Sequence, residues 1–83
     1  MQIETLDCTL TSIPQYFMYG TNIKFVNISN AEIINSGAFS ECQNIISVDA
    51  SNAKKINYNA FSGCTKLENI QLGNVEEINS SIF

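Results

Sequence analysis

The sequence predicts an α/β solenoid in which short parallel strands stack in register on a concave side and short 3₁₀ or α turns stack on the convex side. The first observation is a step of 22 residues. It carries Phe39 to Phe61 to Phe83, Ile34 to Ile56 to Ile78, Ile23 to Ile45 to Leu67, Val26 to Val48 to Ile70, and Ile28 to Ala50 to Leu72. The second is the alternation inside each unit, as at Ile70 and Leu72 on either side of Gln71, which is the period of a strand with one face buried. A chain that repeats every 20 to 30 residues or so stacks one unit on the next, and each unit buries its apolar face only against its neighbours.

The elements follow in chain order. Residues 1–8 read as an edge strand or cap, 9–30, 31–52 and 53–74 as three repeats, and 75–83 as an incomplete fourth, all in one domain that reads as part of a longer array. In the first repeat, Phe17, Gly20, Ile23, Val26 and Ile28 keep the 22-residue step, and Pro14 stands where a short helical turn can begin. Upstream the spacing drifts by one or two residues, because Leu10 and Ile13 do not coincide with Ala31 and Ile34. Ala38-Phe39-Ser40-Glu41-Cys42 and Ala60-Phe61-Ser62-Gly63-Cys64 space their apolar residues as one helical turn does, too short for an independent helix. Two asparagine columns, Asn30/Asn52/Asn74 and Asn35/Asn57/Asn79, mark corners, where asparagine tolerates left-handed backbone and bonds its own chain.

Composition removes several functions. The chain is 45% hydrophobic and 14% charged with a net charge of −4, and its cations are four lysines, Lys24, Lys54, Lys55 and Lys66. A phosphate-binding surface would show the opposite balance, so neither nucleic acid nor an anionic membrane is an expected partner. No apolar run approaches the roughly 20 residues of a membrane span, and the start lacks the features of a secretory signal, as expected of a cytosolic chain or an excised piece of a longer one. There is no histidine, hence no usual general base or metal ligand, and neither a metal nor another cofactor is expected. The odd number of cysteines is no disulfide framework. Cys42 and Cys64 read as small hydrophobes in one column, with a bridge between adjacent coils as the alternative.

The pattern Leu-x-x-Ile-x-Leu followed by Ile-Asn-x-x-Ala-Phe-x-x-Cys-x-x-Leu resembles the BspA-type leucine-rich repeat. Ala38-Phe39-x-x-Cys42-x-x-Ile45 and Ala60-Phe61-x-x-Cys64-x-x-Leu67 carry the likeness, which covers residues 12–83. Asn35, Asn57 and Asn79 replace the glycine usual after the isoleucine, and Tyr16-Phe17-x-x-Gly20 replaces Ala-Phe-x-x-Cys in the first repeat. The resemblance implies a leucine-rich-repeat solenoid without catalysis that binds proteins, on cell surfaces where family members are linked to adhesion. The asparagine- and isoleucine-rich wording also resembles protozoan proteins.

A protein ligand on the strand face is therefore the leading expectation. Its contact residues would be Phe25, Asn27, Ser47, Asp49, Asn69 and Gln71, with Ser29, Ser51 and Gly73 beside them. Phe25 reads either as a binding hot spot or as a rim residue covered by the N-terminal segment or Tyr19. The contrasting reading is a polysaccharide-active β-solenoid, which needs a pair of carboxylates on one sheet face. Asp49 stands alone there, while Glu32, Lys54 and Glu76, and Lys55 beside Glu77, read as exposed cross-coil ion pairs. A structural spacer in a longer array is the third reading. The uncapped C-terminal coil, with Val75, Ile78, Ile82 and Phe83, leads us to expect a homodimer through that end.

Overall fold

The computed structural model describes residues 4–78 and 83. Eight strands form two parallel four-stranded sheets. One contains β1 (Thr5–Asp7), β3 (Phe25–Asn27), β5 (Ser47–Ala50) and β7 (Asn69–Leu72), in that order; the other contains β2 (Ser12–Ile13), β4 (Ile33–Ile34), β6 (Lys55–Ile56) and β8 (Glu77–Ile78). Each coil runs from a long strand round a corner into a two-residue strand and back through an outer turn. The second sheet lies in the segment that the sequence marks only as an asparagine corner. It forms because Ile34, repeated at Ile56, is buried while its backbone pairs with the next coil.

Pairing holds the 22-residue step from the second coil onward, with Val26 opposite Val48 and Val48 opposite Ile70. The first coil is shorter. Thr5 pairs with Phe25, a step of 20, and Ser12 with Ile33, a step of 21. One residue is thus missing between β1 and β2, and another between the outer turn and β3.

That second deletion corrects the first repeat. The Met18 amide donates to Ala38 O (2.7 Å) as the Phe39 amide donates to Ala60 O (2.8 Å), so Met18, not Phe17, is the counterpart of Phe39. Gly20 likewise matches Glu41 rather than Cys42, since both amides donate to the serine of the next coil. Phe17 takes the alanine position, and its larger ring is only half-buried.

The outer turns are not helices. Alternate amides bond locally, as from Ala38 to Asn35 O, Ser40 to Gly37 O and Cys42 to Phe39 O. Those between them, Gly37, Phe39 and Glu41, reach Tyr58 O, Ala60 O and Ser62 O of the next coil. Half the donors a helix would need are spent on stacking. Two left-handed columns bracket the turn: Tyr16 (φ 55°), Gly37 (67°) and Asn59 (59°) at its start, and Gly20 (71°), Glu41 (60°) and Gly63 (80°) at its end. The corner asparagines Asn30, Asn35, Asn52, Asn57 and Asn74 are not left-handed.

The core lies between the two sheets and the turns. Val26, Ile28, Val48 and Ala50 enter it from one sheet, Ile13, Ile34 and Ile56 from the other, and Phe39, Cys42, Ala60 and Phe61 from the turns. Asn35 Nδ2 donates to Ile13 O (2.8 Å) and Asn57 Nδ2 to Asn35 Oδ1 (3.2 Å), so the asparagine column ties corner to corner.

Candidate functional site

The strand face is built by the register of the long strands. Their outward residues form two columns, Thr5/Phe25/Ser47/Asn69 and Asp7/Asn27/Asp49/Gln71. All six residues expected there, Phe25, Asn27, Ser47, Asp49, Asn69 and Gln71, line one shallow, open depression together with Thr5. Phe25 is 41% exposed, pairs with Thr5 of β1 and is not covered by Tyr19, which lies on the outer turns. Much of the polar surface is already engaged. Asn27 Nδ2 donates to Asp7 Oδ1 (3.2 Å), while Asn27 Oδ1 and Asp49 Oδ1 accept from the Ser29 and Ser51 amides (3.1 and 3.2 Å). Asp7 escaped the sequence reading because its 20-residue step hid it from the column.

Gly73, at the end of β7, fits where a Cβ would collide with the carbonyl oxygen of Ser51. The Lys54–Glu32 pair (3.3 Å) joins two coils at the corner, with both side chains about half-exposed, and such pairs are worth roughly 0 to 1 kcal/mol. Lys24 and Glu4 make a second pair (3.3 Å) at the entry to β3.

Cys8, Cys42 and Cys64 are all free thiols. Cys42 Sγ donates to Met18 O (2.9 Å) and Cys64 Sγ to Phe39 O (3.1 Å), so each thiol satisfies a backbone carbonyl of a preceding coil. Burial, reinforced by the neighbouring Cys42, pushes the Cys64 thiol up to about 11, which suits a packing group rather than a nucleophile. No cluster of metal-ligating side chains occurs among the described residues, and they contain no helix long and apolar enough to cross a membrane.

A model of the BspA type leucine-rich repeat region (6 copies) matches residues 2–83. The chain belongs to the BspA-type leucine-rich repeat family. Neither curated proteins nor solved structures give a match. Members of this family generally serve as protein-interaction modules and are typically non-catalytic. In this BspA-type chain the repeat signature accounts for the buried layer, Ala38, Phe39, Cys42, Ala60 and Phe61. The outward residues vary from coil to coil, and it is those that give the surface its chemistry.

Proposed function

We propose that the chain is a non-catalytic protein-interaction module whose ligand contacts the strand face, in the setting of cell-surface adhesion. The observation that supports this most is the exposed Phe25 set among small polar side chains, Thr5, Ser47 and Asn69, in one depression. An aromatic ring surrounded by polar groups is the usual composition of a binding hot spot, and a flat sheet of short side chains leaves room for a partner's own protruding residues. Asp49 and Gln71 supply an acceptor and an amide beside it, so a partner with a basic or amide-rich contact segment fits best.

A surface-adhesion assay tests the reading. Beads carrying the chain are applied to cultured cell layers and compared with beads carrying Phe25→Ala or Asp49→Ser. Both variants are expected to adhere less; equal adhesion would remove the strand face from consideration. A spacer role is the second reading, favoured by the bonds that tie Asn27 and Asp49 to their own backbone neighbours. It requires that both variants leave every interaction of the parent array unchanged.

A further inference from the structure

All three tyrosines of the chain, Tyr16, Tyr19 and Tyr58, line a single open depression across the outer turns. The first coil supplies Tyr16 and Tyr19, the third Tyr58 and Asn59, and the coil between them only short side chains and one acid, Ser36, Gly37, Ser40 and Glu41. The result is an open trough with Tyr16 and Tyr19 at one end, packed edge-on with ring centroids 5.9 Å apart and Tyr16 leaning over Gly37 of the middle coil, and Tyr58 at the other. Its volume, about 490 Å³, lies within the roughly 300–1,000 Å³ of small-ligand sites. The rings are 53–62% exposed, and none of the three hydroxyls has a hydrogen-bond partner among the described residues.

A second, independent feature coincides with the first. The non-glycine residues with left-handed backbone, Tyr16, Glu41 and Asn59, all line this same trough. In other coils the equivalent positions are Gly37, Gly20 and Gly63, so the fold accepts glycine there. The Tyr16 ring is also accommodated by its neighbour: a Cβ on Gly37 would stand 2.5 Å from a Tyr16 ring carbon. Backbone strain retained where glycine would serve points to a use for the side chains.

We propose that the trough binds an extended, neutral oligosaccharide. Tyrosine faces stack on the C–H faces of pyranose rings, and the trough presents such rings at both of its ends. Ser36, Ser40, Ser62 and Asn59 offer hydroxyl and amide partners to sugar hydroxyls. The lining has no aliphatic side chain and its exposed surface is predominantly polar, unlike the apolar centre of a protein interface. Glu41 and the net charge of −4 disfavour sulfated or sialylated chains.

The chain has no tryptophan, so its intrinsic tyrosine fluorescence reports on this trough alone. Titration with cellohexaose or chitohexaose should give a saturable change, and a heparin-derived hexasaccharide should give none. Tyr58→Ala and Tyr16→Gly should each weaken binding about tenfold, the loss of one stacked ring, and Phe25→Ala should leave it unchanged. Tyr16→Gly should do so without lowering the melting temperature, because glycine relieves the left-handed strain. The proposal is overturned by the absence of a saturable change at millimolar sugar, by tighter binding of the sulfated chain, or by equal loss in Phe25→Ala. Capture of a polypeptide instead of a glycan by a photo-crosslinker at position 58 would overturn it as well.

Discussion

The rings of Phe39 and Phe61 stack 5.5 Å apart and within 4° of parallel, each almost wholly buried. Adjacent coils place identical side chains one above the other, and offset stacking is the arrangement a column of rings can repeat without limit. At the two ends the column changes. Phe17 meets Phe39 edge-on at 6.5 Å because it comes from the shifted alanine position, and Phe83 stacks on Phe61 at 6.1 Å while 61% exposed.

Phe39→Ala should therefore cost about 3 to 5 kcal/mol, the range for burying a void of this size, and Phe61→Ala nearly as much. In a domain whose total stability is of order 5 to 15 kcal/mol, either loss is severe. Chemical denaturation of both variants checks this; a change below about 1 kcal/mol in Phe39→Ala would contradict the packing.

The corner ladder gives a smaller effect. Asn35 Nδ2 donates to Ile13 O and to Ser12 Oγ and Asn35 Oδ1 accepts from Asn57 Nδ2, so Asn35→Ala removes all three side-chain bonds at once. A loss of about 1 to 2 kcal/mol is expected, because Asn57 Nδ2 loses this acceptor while Ile13 O keeps the Asn35 backbone amide (3.1 Å). Asn35→Asp should restore the acceptor but not the donor, and should fall between wild type and alanine.

Left-handed backbone makes a prediction of opposite sign. Glu41→Gly should stabilise the chain by up to about 1 kcal/mol, because φ 60° costs glycine no steric energy. Gly63→Ala, at φ 80° and with a Cβ that would meet the Glu41 carboxylate at 2.7 Å, should destabilise it. Thermal melts of the two variants should move in opposite directions.

Much of this architecture is written in the sequence. Ile34 and Ile56, or Phe39 and Phe61, keep their step because each occupies the same site in a buried layer where size and polarity are fixed. The six strand-face residues were placed for the same reason, through the alternation of Val26, Val48 and Ile70 with their outward neighbours. What escaped is where the repeat gives or takes a residue. Phe17 stands 22 before Phe39 by coincidence of one deletion, and only the hydrogen bond from Met18 to Ala38 O shows the shift. The second sheet was hidden because two-residue strands carry no alternation to read. The tyrosine trough was hidden because Tyr16, Tyr19 and Tyr58 occupy different positions of their coils, so no column links them until the coils are stacked.

Cys64 sets a pH limit on stability. Its folded value of about 11 lies above the roughly 8.5 of a free thiol in the unfolded chain, so the unfolded state releases the proton first as pH rises. The thiol's contribution is whole below about pH 8.5, declines between there and pH 11, and is gone above. Wild type and Cys64→Ala should thus differ in the slope of melting temperature against pH across that window, the wild type falling more steeply. Parallel slopes would show that Cys64 is solvated in the folded chain.

The outermost coil should make the free 83-residue chain self-associate. Ile70, Leu72 and Leu67 are half-buried, whereas their counterparts Val48, Ala50 and Ile45 are closed off by the next coil. Among the described residues β7 is also the last strand of its sheet, and its outer edge pairs with no other described strand. An apolar layer beside an unpaired edge is a template for a second copy, and a two-fold contact closes after two chains where head-to-tail stacking would not. Residues 79–82, which include Asn79 and Ile82, lie outside the described residues. Light scattering after size exclusion should show a dimer whose mass falls toward the monomer in Ile70→Lys, with the strand spectrum in circular dichroism unchanged. A monomer in the unsubstituted chain at high concentration would mean that the layer is closed by the chain itself.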